Sequence, residues 1–245
     1  AREMNRYAKM MGMTNTYFTN STGWPHPDLQ TTSRDLIILT KKIVDDFPEL
    51  YKLFEEKIFT YNNIKQSNRN PLLYTMNGAD GLKTGHTNES GYGLIGSVKR
   101  NDRRVTVVIN GLNSKKKRRF ESKRLFNIVF RETALLSLFN KQNTLVKANV
   151  WLGKKSEVEL VALKPFKKIV SPIEFNKTKI KTEWMDPIAS PIRKGDIVGT
   201  IHIIIPGKKT IKEDLISAED INKMSPLVRA KSILKFLLYG DTVDK

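Results

Sequence analysis

Two apolar-rich runs, Tyr92–Lys99 and Arg103–Leu112, meet across the short polar sequence RNDR. Strands this close together pair as an antiparallel hairpin, because a parallel partner needs a crossover of a dozen or more residues. The stretch that follows, SKKKRRFESKRLFNIVFRETALLSLF, carries Phe120, Leu125, Ile128, Val129 and Leu136 at helical spacing and reads as one long helix. A hairpin followed at once by a helix gives a sheet with a helix to cover it. That is the start of an α+β fold with an antiparallel sheet and packed helices.

The flanking sequence fits this frame. Ala1–Met11 reads as a helix stopped by Gly12, and TNTYFTNSTGWPHPDLQ as a loop. Thr32 or Ser33 caps a second helix, with Asp35 in its first turn and Leu36, Ile37, Leu39, Ile43 and Val44 along one side. A short helix is expected near Glu49–Phe54, then a strand and a polar loop in KIFTYNNIKQSNRNPLLYT. From Asn143 the texture changes. Short β-like runs (TLVKANVWLG, SEVELVAL, KKIVSPIEF, DIVGTIHIII) alternate with Gly, Pro and Lys turns, which predicts a small antiparallel β domain. The expected division is therefore residues 1–140, then 143–222, then an amphipathic helix over 225–240.

Composition limits the function. Hydrophobic residues at 39% and charged residues at 28% predict a packed core rather than disorder. The absence of cysteine excludes disulfides and thiolate metal sites, and His26, His86 and His202 share no ligand spacing, so no metal and no cofactor is expected. The pairs Asp45–Asp46 and Glu55–Glu56 read as solvated, and Trp24, Trp151 and Trp184 as core or interdomain packing. No apolar run approaches the roughly 20 residues that span a bilayer. The net charge of +18 favours polyanions. Nucleic acid is nevertheless disfavoured as a partner, because the aromatics do not interleave with KKKRRFESKR as a stacking platform would.

The chemistry concentrates in DGLKTGHT, before the first apolar run. A Lys-Thr-Gly row on a strand offers an ammonium for a carboxylate, a hydroxyl for the same group, and bare backbone along which a substrate lies. A free amide just beyond it supplies half of an oxyanion hole. Read without context, the tripeptide favours a surface β-turn with an exposed lysine over a binding site.

DGLKTGHT followed by SGYGLIGS, the hairpin and the helix resembles the D-alanyl-D-alanine carboxypeptidases, the low-molecular-mass penicillin-binding proteins, whose third motif is Lys-Thr-Gly. STGW with TTSRDL is similar to that family's loop and helix start, the stretch ending NRN to its strand, RRFESKRLFNIVFR to its last helix, and the β-rich stretch to its second domain. The resemblance implies a partial penicillin-binding, serine β-lactamase-like transpeptidase domain followed by a small all-β domain. It implies an exported serine-type enzyme, in the periplasm or on the outer face of the cytoplasmic membrane. Such an enzyme removes the terminal D-alanine of a peptidoglycan pentapeptide and is inhibited covalently by β-lactam antibiotics. On this reading Lys83 and Thr84 hold the terminal carboxylate, and Gly85 keeps the strand bare. The backbone N–H of His86 joins the oxyanion hole, with its imidazole either packing or catalytic. Arg118 binds the carboxylate, with Arg119 as the alternative. Arg69 is read as structural.

One part of the pattern is missing. The family's nucleophile lies in a Ser-x-x-Lys, accompanied by a Ser-x-Asn. Ser21, Ser33 and Ser67 are followed three residues on by Trp24, Leu36 and Asn70. Ser114 with Lys117 fits the bare spacing, but it follows Lys83 and sits in a lysine run. The chain is expected to be a fragment, starting inside a helix and inactive alone; the alternative is a structural or regulatory relative without a nucleophile. The last segment, SPLVRAKSILKFLLYG, places Leu227, Ala230, Leu234, Leu237 and Leu238 at helical spacing, with Ile233 and Phe236 beside them and Arg229, Lys231 and Lys235 between. Periodicity alone fits a helix lying on an anionic membrane and a helix packed on the β domain equally well; the resemblance favours the membrane.

Overall fold

The computed structural model describes residues 1–139 and 143–240. The chain forms two compact units, one from Ala1 to Arg131 and a second beginning at Glu132. The expected junction at 140–143 lies mostly outside the described residues.

In the first unit, α1 (Arg2–Met10) is followed by Gly12 in the left-handed region at φ +82°. The loop after it is fastened to α2 (Ser33–Asp46). Thr32 caps that helix by accepting from the Asp35 backbone N–H at 3.1 Å. Asp35 is buried and turns outward from the helix to accept from the Asn15 backbone N–H at 2.9 Å and from the Thr16 hydroxyl at 2.7 Å. The Thr16 hydrogen bond is the main cause that holds this carboxyl below its ordinary pKa. A residue expected to complement the helix dipole thus also clamps the loop.

Helix α3 (Pro48–Tyr51) runs into a 3-10 turn, Lys52–Glu55. Next comes a hairpin, β1 (Ile58–Tyr61) with β2 (Ile64–Ser67). The sequence reading expected one strand and a polar loop here. The second strand forms because Asn62 and Asn63 both adopt positive φ, 47° and 58°, as a two-residue hairpin turn requires. After α4 (Leu72–Thr75) the three central strands run antiparallel in the order β3 (Ala79–Thr87), β4 (Gly91–Arg100), β5 (Arg103–Leu112). Strand β3 is an edge among the described residues.

Helix α5 (Lys115–Glu132) covers this sheet through Phe126, which is fully buried with Leu72, Leu94 and Val98. Burying a side chain of this size stabilises by roughly 1.5–3 kcal/mol. Gly96 makes room for it: a Cβ there would stand 2.6 Å from Leu72 Cδ1 and 3.0 Å from Phe126 Cε2. Two expectations are corrected here. Phe120 is not part of the buried face but 65% exposed. The helix also ends at Glu132 rather than continuing to Phe139. Ala134–Leu138 is strand β6, and its Leu136 joins the core of the second unit. The run ALLSLF is short enough to satisfy either period, and its pairing partner lies some 30 residues away in sequence, so tertiary contact decides.

The second unit continues with β7 (Val146–Trp151), β8 (Glu157–Ala162) and β9 (Phe166–Val170), the partner of β6. Helix α6 (Pro172–Lys177) follows, within a run expected to be β-like; Ser171 and Glu174 form a capping box that nucleates it. Glu174 falls to a pKa of about 2, chiefly through the hydrogen bond from the Ser171 backbone N–H and then through Lys208. Strands β10 (Lys179–Trp184), β11 (Ile188–Ala189), β12 (Ile197–Ile204) and β13 (Ile211–Ser217) complete a six-stranded sheet in the order β10-β12-β13-β8-β7-β11. Its core is built on Leu160, Ile201, Ile203, Leu215 and Ile221. The sheet departs from the expected all-antiparallel pattern at one pair, β11 beside β7.

Helix α7 (Pro226–Tyr239) closes the described chain. Phe236 meets Trp151 edge-on at 5.1 Å, while Leu227, Leu234, Leu237 and Leu238 are exposed. Among the described residues no helix is long and apolar enough to cross a membrane.

Candidate active site

The DGLKTGHT sequence forms the edge strand β3, and its alternation sorts the residues. Leu82, Thr84 and His86 stand opposite Gly96, Leu94 and Tyr92 of β4 and share their face. Lys83 is exposed; its Nζ donates to the Thr84 carbonyl oxygen at 2.7 Å. A Cβ on Gly85 would meet no atom within 4 Å, so the strand is bare at that point and any side chain would project into open space.

Helix α5 brings Arg118 to the same place. Its guanidinium carbon lies 5.7 Å from the centre of the Tyr92 ring, and the His86 ring packs on Tyr92 with centroids 3.9 Å apart. Arg118 is only 7% exposed, Nη2 donates to the Arg69 carbonyl oxygen at the long distance of 3.5 Å, and Nε is buried without a hydrogen-bond partner. Burial pushes its pKa down. A guanidinium this poorly satisfied favours an incoming anion, since an unpaired buried donor is costly. Within the basic run Lys115–Arg119, this arginine is thus turned inward rather than to solvent. Lys83, Thr84, Gly85, His86 and Arg118 all line one cleft of about 750 Å³, together with Arg69. A second cavity, of about 1040 Å³, adjoins it beneath the 18–31 loop. Trp24, on that loop, is 74% exposed, which corrects its reading as a packing residue.

Sequence reasoning missed the residues that hold β3 in place. Tyr51 donates to Asp80 Oδ1 at 2.9 Å, and Arg104 reaches Asp80 Oδ2 at 2.7 Å, the Tyr51 hydroxyl at 3.0 Å and the Ser97 hydroxyl. Burial, the largest cause, pushes the Tyr51 phenol up to about 12. Asn70 is buried; its Nδ2 donates to the Gly81 carbonyl oxygen at 2.9 Å, and its Oδ1 accepts from the Leu72 backbone N–H at 3.0 Å. The NRN sequence drew attention to its arginine, whereas its second asparagine is what ties that segment to the strand two residues before Lys83.

Among the described residues no serine lining this cleft begins a Ser-x-x-Lys. Ser114 accepts from the Lys117 backbone N–H at 3.1 Å and so starts α5, which explains its accidental match to Ser-x-x-Lys. Ser232 with Lys235, a second bare match that the sequence reading passed over, lies on α7 of the other unit. Ser90 lines the cleft but bonds Thr87 in the β3–β4 turn and has Gly93, not lysine, three residues on. Among the described residues no group of three or more His, Cys, Asp or Glu side chains is placed to hold a metal.

Known proteins share both units. The model of the D-alanyl-D-alanine carboxypeptidase family matches residues 1–114, and that of the penicillin-binding protein 5 C-terminal domain matches residues 135–223. The chain belongs to the D-alanyl-D-alanine carboxypeptidase family. It is 36% identical to D-alanyl-D-alanine carboxypeptidase DacC of Escherichia coli over 90% of its own length and 56% of the relative's. For DacA of Haemophilus influenzae the identity is 33%, over 90% of this chain and 57% of the relative. Among solved structures, penicillin-binding protein 5 from Haemophilus influenzae superposes with a TM-score of 0.67 at 31% identity, covering 91% of this chain and 65% of that one. Penicillin-binding protein 6B from Escherichia coli gives 0.68 at 26%, covering 88% and 59%. The chain thus spans about half the length of the curated relatives it matches. The α+β architecture with a second, β-rich unit is the family's fold.

Proposed function

We propose that this chain supplies the carboxylate-binding wall of a serine-type D-Ala-D-Ala carboxypeptidase, which removes the terminal D-alanine from peptidoglycan pentapeptides in cell-wall metabolism. A serine from outside this cleft's own set attacks the carbonyl of the penultimate D-alanine; free D-alanine leaves, and water then hydrolyses the acyl-enzyme. Lys83 and Thr84 hold the terminal carboxylate, with Arg118 behind them, and Gly85 lets the peptide lie on the open edge of β3. The His86 backbone N–H forms half of the oxyanion hole, while its ring packs on Tyr92. β-Lactams carry a carboxylate like the substrate's and acylate the complete enzyme. The observation that carries the reading is the buried, under-bonded Arg118 facing the same cleft as Lys83 and Thr84.

The chain alone is expected to stay unlabelled by a fluorescent penicillin, while a complete enzyme that joins it to a Ser-x-x-Lys segment is labelled. Acylation needs a positioned serine with a base beside it. A covalent adduct on Ser90 or any other residue of the 245 contradicts the reading.

The same proposal places the protein outside the cytoplasm, in the periplasm or on the outer face of the cytoplasmic membrane, with α7 as a peripheral anchor. Its exposed leucines and interspersed Arg229 and Lys231 support contact with an anionic lipid surface. Deleting residues 225–245 is expected to abolish most co-sedimentation with anionic liposomes. Unchanged binding would assign the attraction to the remaining basic surface instead.

A further inference from the structure

Two glycines face each other in the floor of the cleft. Gly85 of β3 pairs with Gly93 of β4, and both line it. The third strand contributes one side chain there. Ile109 packs on the Phe126 core, so its neighbour Asn110 turns to the opposite face of the sheet. Between the pairs Tyr92–Leu112 and Leu94–Ile109, β5 carries one residue more than β4. This β-bulge, with Gly111 at φ +74°, re-aims Asn110 across β4. A Cβ on Gly93 would stand 2.6 Å from Asn110 Oδ1, so any other residue at 93 would displace the amide. The Asn110 side chain is exposed and makes no hydrogen bond with any described residue.

Asn110 also stands where two cavities meet. The cleft of about 750 Å³ and the adjoining one of about 1040 Å³ share Thr22, Gly23, Thr87, Ser90 and Asn110. On the proposed reading the terminal carboxylate lies at Lys83 and Thr84, and the scissile carbonyl at the His86 N–H. The peptide therefore runs along β3 toward Thr87, and the residues that precede the terminal pair leave the cleft at this junction. An asparagine amide offers one acceptor, two donors and no charge, which complements a peptide group.

We infer that Asn110 is a specificity-determining residue: it hydrogen-bonds the N-terminal peptide group of the residue that precedes D-Ala-D-Ala, as the substrate passes into the adjoining cavity. This role rests on the carboxylate-binding reading of the cleft, which sets the direction of the peptide. The ligand class is a D-Ala-D-Ala peptide extended by at least one further residue.

The test uses the chain itself and two peptides, Ac-D-Ala-D-Ala and Ac-Ala-D-Ala-D-Ala, with affinities read from amide chemical shifts. The wild-type chain is expected to bind the longer peptide about fivefold more tightly, the size of one neutral hydrogen bond. Asn110→Ala should bring the ratio to about one. Asn110→Leu, which keeps the volume but not the hydrogen-bonding groups, should do the same. Lys83→Ala should weaken both peptides alike. Equal affinity for the two peptides in the wild type overturns the inference and leaves the carboxylate-binding reading standing. So does a gain that survives Asn110→Ala or Asn110→Leu. Equal losses for both peptides in Asn110→Ala also overturn it, because the residue would then support the floor of the cleft and not the extended peptide. If neither peptide shifts any cleft resonance, the carboxylate-binding reading itself fails and this inference with it.

Discussion

Lys83→Ala, made in a complete enzyme that contains this chain, is expected to slow acylation by a β-lactam by about 30- to 1000-fold. The ammonium stands exposed on an edge strand, and its one hydrogen bond is to the neighbouring Thr84 carbonyl oxygen. It is therefore available to a ligand at little cost to the fold, and the substitution should leave stability nearly unchanged. A preorganised charge of this kind typically contributes ~2–4 kcal/mol to the transition state. The check is the second-order labelling rate with a fluorescent penicillin, alongside a thermal melt. Acylation at the wild-type rate would remove Lys83 from the site. A large fall in melting temperature would make its role structural.

Arg104→Ala is expected to have the largest effect on stability. It strips Asp80 of its strongest partner while that carboxylate remains mostly enclosed, with side-chain exposures of 25% for Arg104 and 17% for Asp80. Leaving such a charge unpaired costs about 2–4 kcal/mol, somewhat less than for a fully buried pair. Removing both charges with Arg104→Met and Asp80→Asn should recover more than half of that loss, because the penalty lies in the uncompensated carboxylate. Urea unfolding of the first unit reads both variants. A loss below ~0.5 kcal/mol for Arg104→Ala would show that the network does not hold the strand. Asp80 lies three residues before Lys83 on β3, so the same variant should also slow acylation in the complete enzyme without touching the ligand.

What the sequence reveals depends on how local the cause is. The central hairpin, the Thr32 cap and the placement of DGLKTGHT on a strand before it all follow from neighbouring residues, and they stand as expected. Strand β6 does not, since ALLSLF fits two periods and its partner β9 decides. The support beneath the site is equally hidden. Tyr51, Asp80, Ser97 and Arg104 come from four separate segments and share no spacing that a linear reading could detect. Arg118 is the intermediate case. By composition it is one cation in a run of five, Lys115–Arg119; the resemblance alone singled it out, and its burial supplies the physical reason.

In the proposed enzyme, Arg118 recognises the terminal carboxylate together with Lys83 and Thr84. The most direct measurement compares a peptide ending in D-Ala-D-Ala with its C-terminal amide, in wild type and in Arg118→Ala, by hydrolysis in the complete enzyme. The free-acid peptide should lose about 10- to 100-fold in kcat/KM on the substitution, as for a lost charge-assisted hydrogen bond of ~1.5–3 kcal/mol. The amidated peptide should be poor from the start and nearly insensitive to the change. Equal losses for the two peptides would contradict the account, because Arg118 would then act on the fold and not on the carboxylate.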